Sequence, residues 1–534
     1  MTRLLPFGLI LLSAIGFALA LMTGQHMPTW VVIGGGIASP LALLGIYDVI
    51  QRPHALWRNF PVLAHIRWIA EELRPFFRSY IVENDTEGRP FNHEQRALVY
   101  RRAKNVSSVE PFGSQLDIDK PPYEWLAHSI AARHNSDECP RVSVGAPGTA
   151  QPYAASVFNI SAMSFGSLGA HAIEALSTGA KKGGFYHDTG EGGVSKYHRA
   201  GGGDLVWEIG SGYFGCRARD GSFDAARFED VAKDPQIKMI EIKLSQGAKP
   251  GHGGVLPGAK VTAEIAETRG IPIGETCFSP PGHSAFSTPL EMMDFVARLR
   301  DLSGGKPVGI KFCVGNRWEI LALCKAMLET GIRTDFMVVD GGEGGTGAAP
   351  AEFLDHVGAP LRQGLVLTRN ALIGTGLKDD VRIGCSGKQT SAFALAASMA
   401  LGADWVNTAR GFMFSLGCIQ SLNCHNNTCP TGIATTDKSR QRGLVVSDKA
   451  ERVFNYHRNT IRALMEVVGA AGCEHPSELT PRHIMHRVTE DMVKPAHRAY
   501  DLLEPDVLLH APETTLLGRE WEMAQAASFK PLVV

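Results

Sequence analysis

Between about residues 155 and 415 the chain repeats one pattern: a short apolar run rich in β-branched residues, a loop containing Gly or Ser, then a stretch of helical composition. Eight runs fit: Phe158 to Ser164, Gly184 to Asp188, Met239 to Lys243, Ile271 to Cys277, Val308 to Cys313, Phe336 to Asp340, Val381 to Cys385 and Trp405 to Thr408. Helical material such as Ala170 to Lys181, Pro289 to Leu302, Trp318 to Thr330 and Ser391 to Leu401 lies between them. Eight strand-then-helix units in succession predict an α/β fold, a closed (β/α)8 TIM barrel rather than an open doubly wound sheet. In such a barrel chemistry belongs to the loops that leave the carboxyl ends of the strands, so those loops carry the functional reading.

Composition narrows the class further. With 53 Lys plus Arg against 54 Asp plus Glu, a formal charge of −1 and 44% hydrophobic residues, the chain is too apolar and too evenly charged to be disordered. It has no basic surplus to displace counterions from phosphates, which disfavours a nucleic-acid partner. The ten cysteines are scattered except for three close together, the usage of a reducing compartment rather than of a disulfide-stapled secreted domain.

From Leu4 to Tyr47 there is no Asp, Glu, Lys or Arg. Two apolar stretches, roughly Leu4 to Met22 and Trp30 to Tyr47, flank the polar turn Thr23-Gly24-Gln25-His26, and each approaches the ~20 residues a helix needs to cross hydrocarbon. Residues 1–50 are therefore expected to form a transmembrane helical hairpin. The rival reading is a secretory signal, since Arg3 precedes an apolar core and Ala18-Leu19-Ala20 resembles a small-residue cleavage site. On either reading Arg52, Arg58 and Arg67 place the catalytic body on the cytoplasmic side of the membrane. Residues 51–150 read as a lead-in subdomain. Its Arg-rich amphipathic pieces, His65 to Ile69 among them, either rest on the membrane surface or form a solvated connector. The barrel is assigned to 151–440 and a helical extension wrapping it to 441–534.

After the seventh run comes Gly384-Cys385-Ser386-Gly387-Lys388 and after the eighth Thr408-Ala409-Arg410-Gly411. Small residues there let backbone N–H groups approach a phosphate, and Lys388 and Arg410 add positive charge; the plain alternative is that the glycines only turn the chain. Lys243 and Lys311 each end an otherwise apolar run, a costly place for a cation unless an anion such as a reduced flavin faces it or the side chain snorkels to water. The loop Ser245-Gln246-Gly247-Ala248-Lys249-Pro250-Gly251 suits a carboxylate-bearing substrate, with Lys249 as counter-charge and Gln246 as an orienting amide, or is a surface loop. Glu191 and Glu343 each sit in a glycine setting after a strand, as proton or ammonia handlers or as loop caps. Cys418, Cys424 and Cys429 follow the eighth run in a C-x5-C-x4-C spacing. Three clustered thiols match an iron–sulfur cluster lacking one iron corner; zinc with His425 as fourth ligand, or a buried structural trio, are the alternatives.

Taken in order, Met163-Ser164-Phe165-Gly166-Ser167, Thr189-Gly190-Glu191-Gly192-Gly193, Gln246 to Gly251, Gly344-Gly345-Thr346-Gly347-Ala348 and the cysteine trio followed by Pro430-Thr431-Gly432 resemble the synthase domain of glutamate synthase. The likeness is strongest to short, membrane-anchored chains with a glutamate-synthase-type flavin barrel, and it covers about residues 150 to 440. It implies an FMN-containing barrel with a 3Fe-4S cluster beside the flavin. Carried over residue by residue, Ser164, Lys243, Lys311, Ser386, Gly387, Arg410 and Gly411 would contact FMN, with Gly166 and Lys388 in the same shell. Gln246 and Lys249 would hold 2-oxoglutarate, with Glu191 beside them as a third catalytic candidate, and the three cysteines would ligate iron. Full-length members of the family begin with a glutaminase whose nucleophile is an amino-terminal Cys, whereas this chain begins Met1-Thr2. The expectation is a synthase barrel without its own glutaminase, taking ammonia or an amine from solution or from a separate subunit, with electrons from a partner.

Overall fold

The computed structural model describes residues 4–24, 26–146 and 149–533. Arg3 and Gln25, both used in reading the amino-terminal run, lie outside the described residues. The chain divides into two compact units, Met1–Gly88 and Arg89–Val534.

In the first unit helices α1 (Leu5–Met22) and α2 (Thr29–Ile50) pack against each other as a hairpin. The contact is close because two glycines admit rings. A Cβ on Gly35 would stand 2.0 Å from the Phe17 ring, and one on Gly45 would stand 2.1 Å from the Phe7 ring. Both helices are long and apolar enough to cross a membrane. In the last turn of α2 the buried carboxylate of Asp48 accepts the Val62 N–H at 2.8 Å and pairs with His65 Nε2 at 2.9 Å. His65 begins helix α3 (His65–Phe77), and a further turn, Arg78–Val82, extends it.

The second unit is built around a closed barrel of eight parallel strands: β1 (Phe158–Ile160), β2 (Tyr186–Asp188), β3 (Asp204–Ile209), β4 (Ile237–Lys243), β5 (Val308–Phe312), β6 (Phe336–Asp340), β7 (Arg382–Ser386) and β8 (Trp405–Thr408). Each strand pairs with its neighbours in sequence and β8 returns to β1, so the predicted TIM barrel is the observed one. One expected strand is not in the barrel, and one barrel strand was not expected. β3 falls outside the eight runs, although its Leu205-Val206-Trp207 core is apolar and its single interior Glu208 matches Glu241 in β4. Ile271 to Cys277 is not a barrel strand: Pro272 has no N–H to give a central ladder, Gly274 adopts φ +75° and Ile273 is 65% exposed. Cys277–Phe278 instead pairs antiparallel with Val255–Leu256 in the long excursion between β4 and β5.

A hairpin of Arg141–Val144 and Tyr153–Ser156 closes the end where the strands begin. There Val144 and Ala155 pack on the inward residues Tyr186, Val206, Met239, Phe336, Val338 and Trp405. The Tyr186 hydroxyl accepts from Trp405 Nε1 at 2.8 Å and donates to Asn407 Oδ1 at 2.7 Å, so this layer has no unmet polar group on its two largest rings. Outside the barrel, α4 (Ala170–Gly183) stops at Gly184 in the left-handed region and packs against the long α6 (Val446–Ala470), while the short α5 (Arg410–Leu416) leaves β8. Beyond α6 the chain is only partly helical: Ile484–Arg487 pairs with Glu124–Leu126 and Val493–Pro495 in an antiparallel sheet.

Candidate active site

Strand register assembles a charged layer directly above the apolar one. β3 and β4 set Glu208 beside Glu241, and β4 and β5 set Lys243 beside Lys311. Because side chains alternate along a strand, Glu241 and Lys243 share a face. Lys311 Nζ donates to Glu208 Oε2 at 2.7 Å and stands 3.8 Å from Glu241 Oε1. Asp188 at the end of β2 completes the cluster, its carboxylate lying with those of Glu208 and Glu241 within 4.8 Å. Burial and the neighbouring Glu208 push Asp188 up to about 7. Burial and Asp188 push Glu241 well above the carboxylate range. Burial alone would lower Lys311, but Glu208, Glu241, Asp188 and Asp340 outweigh it and hold its ammonium well above the ordinary value. Lys311 is 4% exposed, so it does not snorkel to water; the anion facing it is supplied by the chain's own carboxylates.

Lys243 links this layer to the loops. It stands 3.2 Å from Glu191 and 3.8 Å from Glu208, and it donates to Gln246 Oε1 at 3.0 Å. Burial pushes Glu191 up, but Lys243, Arg269 and Lys249 outweigh it, leaving an ionised carboxylate below the usual range. Its position depends on Gly254, where a Cβ would stand 1.8 Å from Glu191 Oε1. Lys249, 3% exposed, borders the same cleft; burial lowers its ammonium against the pull of Glu191. The three catalytic candidates Glu191, Gln246 and Lys249 therefore come together.

Ser164, Lys243, Lys311, Ser386, Gly387, Lys388 and Arg410 line this one cleft over the carboxyl ends of the strands. Asp340 braces it, accepting from the Ser386 hydroxyl and from the Gly247 N–H, which joins the loops after β4, β6 and β7. The other two cofactor candidates do not face the cleft. A Cβ on Gly166 would meet Ile265 and Leu256, and one on Gly411 would stand 2.6 Å from the Tyr456 hydroxyl. The Arg410 guanidinium is turned toward the cysteine loop, donating to Thr346 O and standing 3.7 Å from Cys424 Sγ.

Cys418, Cys424 and Cys429 are free thiols bordering a second cavity. Burial raises Cys429, yet the Thr431 hydroxyl and the backbone N–H groups of Ala434, Thr431 and Ile433 outweigh it and lower the thiol. Burial pushes Cys418 up to about 11. Among the described residues no three of Cys418, Cys424, His425 and Cys429 bring their ligand atoms within 4.8 Å of one another.

Sequence reasoning missed four groups here. Asp188, Glu208 and Glu241 complete the charged layer. The fourth is Lys260, 2% exposed, whose ammonium donates to the carbonyls of Ser167, Cys424 and Ala434 and is lowered to about 8 by burial. A signal existed for Glu241, since Glu241-Ile242-Lys243 puts two charges on one face of an apolar strand. None marked Lys260, which ends a single 3-10 turn, Gly258–Lys260.

Residues 134–474 match the model of the conserved region in glutamate synthase, well over half the chain. The chain belongs to the glutamate synthase family. Over 497 residues it is 37% identical to the glutamate synthase large subunit-like protein YerD of Bacillus subtilis, covering 85% of this chain and 94% of that one. It is 32% identical over 312 residues to an archaeal-type glutamate synthase (NADPH) of Thermotoga neapolitana, 58% of each chain. To the archaeal glutamate synthase (NADPH) of Methanocaldococcus jannaschii it is 34% identical over 314 residues, 59% of this chain and 58% of that one.

Proposed function

We propose that the chain is a flavin-dependent oxidoreductase of the glutamate synthase type. On this reading it binds FMN in the cleft above the strands and a 3Fe-4S cluster in the adjoining cysteine-lined cavity. It forms glutamate, or an N-alkyl relative, from 2-oxoglutarate or a related keto acid and ammonia or an amine. The observation that carries the reading is a shared wall: Gly345, Lys388, Arg410 and Cys424 border both cavities, so a redox group in one lies against a redox group in the other.

The residues fit both groups. Ser386, Gly387 and Lys388 offer a glycine-opened loop and a cation to a phosphate, in the position where barrels of this kind often hold one. The cysteine cavity offers three free thiols, N–H donors on Cys429 and the Arg410 cation beside Cys424, while Lys260, on the side of the first cleft, donates to the Cys424 carbonyl. A single zinc, with thiolates at about 2.3 Å, asks for sulfurs closer together than this loop holds them; a cluster spreads its ligands over several irons and accepts the wider set.

Bound FMN supplies hydride transfer and exchanges electrons singly with an iron–sulfur partner. The protein's part is to bind, orient and supply protons. Lys243, Lys249 and Arg269 surround the single carboxylate Glu191, a positive surplus that receives a dicarboxylate substrate. Gln246, held by Lys243, presents its amide to the same space. Asp188, pushed up to about 7, and Glu241, raised beside it, form a proton-holding pair in the layer beneath, and amination of a keto acid needs a proton when the oxygen leaves as water. Ammonia and electrons come from solution or from separate subunits, and α1 with α2 anchors the chain in the membrane with the barrel facing the cytoplasm.

The test is anaerobic. Chemically reduced protein is expected to be reoxidised by 2-oxoglutarate only when ammonia or methylamine is present, the more effective amine naming the product. Absence of reoxidation with every keto acid and amine pair overturns the reading in favour of an electron-carrying or scaffold subunit. Cys424→Ser is expected to lose iron while retaining flavin; full iron content in that variant removes Cys424 from the ligand set.

A further inference from the structure

Helix α3 and the turn after it carry an apolar row that none of the described residues covers. Ile66, Ile69, Leu73 and Phe77 recur at intervals of three and four residues, and Ile81 extends the row. They are 62%, 56%, 44%, 52% and 72% exposed. Arg67, Glu71, Arg74 and Arg78 occupy the flank beside it, with Arg67 and Glu71 3.8 Å apart. A row of this size is unusual on a water-facing helix and asks for an apolar partner.

The elbow before it says which partner. Asp48 lies in the last turn of α2, and its carboxylate holds both the Val62 N–H and His65 Nε2. The first residue of α3 is thereby fixed at the level of the end of α2. Around this joint Trp57 stacks on His65 at 4.4 Å and meets Trp68 edge-on at 5.6 Å, while the Arg67 guanidinium stands 5.3 Å from the Trp68 ring. Tryptophan and arginine gathered at one end of a membrane-length helix are the composition of a headgroup layer. From residue 51 to 82 the chain has five Arg against two Glu, a surplus that suits anionic lipid.

We propose that residues 66–82 lie in the plane of the membrane surface, apolar row in the acyl boundary and Arg face in the headgroups, as an interfacial anchor adjoining the hairpin. This rests on the reading of α1 and α2 as membrane-spanning. An amphipathic helix of this kind binds by buried apolar area together with attraction to anionic lipid.

The experiment uses the full chain reconstituted in vesicles of phosphatidylcholine and phosphatidylglycerol, with the photo-crosslinker benzoylphenylalanine introduced singly at Leu12, Leu73, Arg74 or Phe77, and adducts identified by mass spectrometry. Lipid acyl adducts at Leu73 and Phe77, several-fold above those at Arg74, are expected, with adducts at Leu12 as well. Adducts at Leu12 but none at Leu73 or Phe77 overturn the interfacial anchor and leave the hairpin standing. No lipid adduct at any position overturns both. Adducts from Leu73 and Phe77 to peptides of this chain, within one molecule or between two copies, show a protein-covered face and overturn the proposal.

Discussion

The two ends of the barrel interior are made by the same strands and have opposite character. On β2, β3, β4 and β6 the inward residue of the lower layer is Tyr186, Val206, Met239 or Val338, and two residues further on it is Asp188, Glu208, Glu241 or Asp340. The lower layer is apolar, plugged by a hairpin and satisfied in its hydrogen bonds. The upper layer crowds carboxylates around Lys311 and Lys243 and leaves Glu241 Oε1 buried without a hydrogen-bond partner. Burying like charges side by side opposes folding, so an arrangement of this kind stands out as functional rather than structural. One strand period separates the layer that holds the barrel together from the layer to which the proposed function assigns its chemistry.

The contrast can be broken from either side. The largest effect is expected for Lys311→Met, which leaves Glu208 and Glu241 facing each other without their cation. Unfolding in denaturant should show a loss of about 3–5 kcal/mol, and turnover should fall with it. Stability equal to the unaltered protein would mean that the upper layer is not an ion network. Next is Met239→Ala in the lower layer, with an expected loss of about 2–4 kcal/mol and unchanged turnover per folded molecule; a selective loss of turnover would contradict the division of labour.

A further effect is a pH slope, which leaves the covalent chain unaltered. Asp188 titrates at about 7 when folded, against about 4 for an unperturbed Asp. A carboxyl raised in the folded state favours folding while protonated, so this contribution is complete below about pH 4 and is lost as pH rises through about 7. Lys311, held above its ordinary alkaline value, does not titrate in that window. Stability measured from pH 4 to 7 should therefore decline, and Asp188→Asn, which removes the titrating carboxyl, should flatten the decline.

How much of this was legible in the sequence follows from the range of each interaction. Barrel class, cysteine loop and rim lysines are local patterns and could be read directly. β3 is missed although β4, which also carries an interior glutamate, is read; what lets Glu208 stay buried in such a strand is Lys311, about a hundred residues away, which no local pattern shows. Ile271 to Cys277 has strand-like composition, but Pro272 and Gly274 and its pairing with Val255–Leu256 remove it from the barrel. Gly166 and Gly411 belong to glycine-rich stretches whose neighbours do line the cleft, yet their own contacts point elsewhere, a distinction only tertiary packing makes.

The proposed pairing of a flavin with an iron–sulfur cluster is tested most directly by the cofactor content of the purified, folded chain, read by absorption spectroscopy and native mass spectrometry. The account predicts FMN bound together with iron and sulfide in the ratio set by a 3Fe-4S cluster. A colourless, correctly folded protein whose mass is that of the polypeptide alone would contradict it.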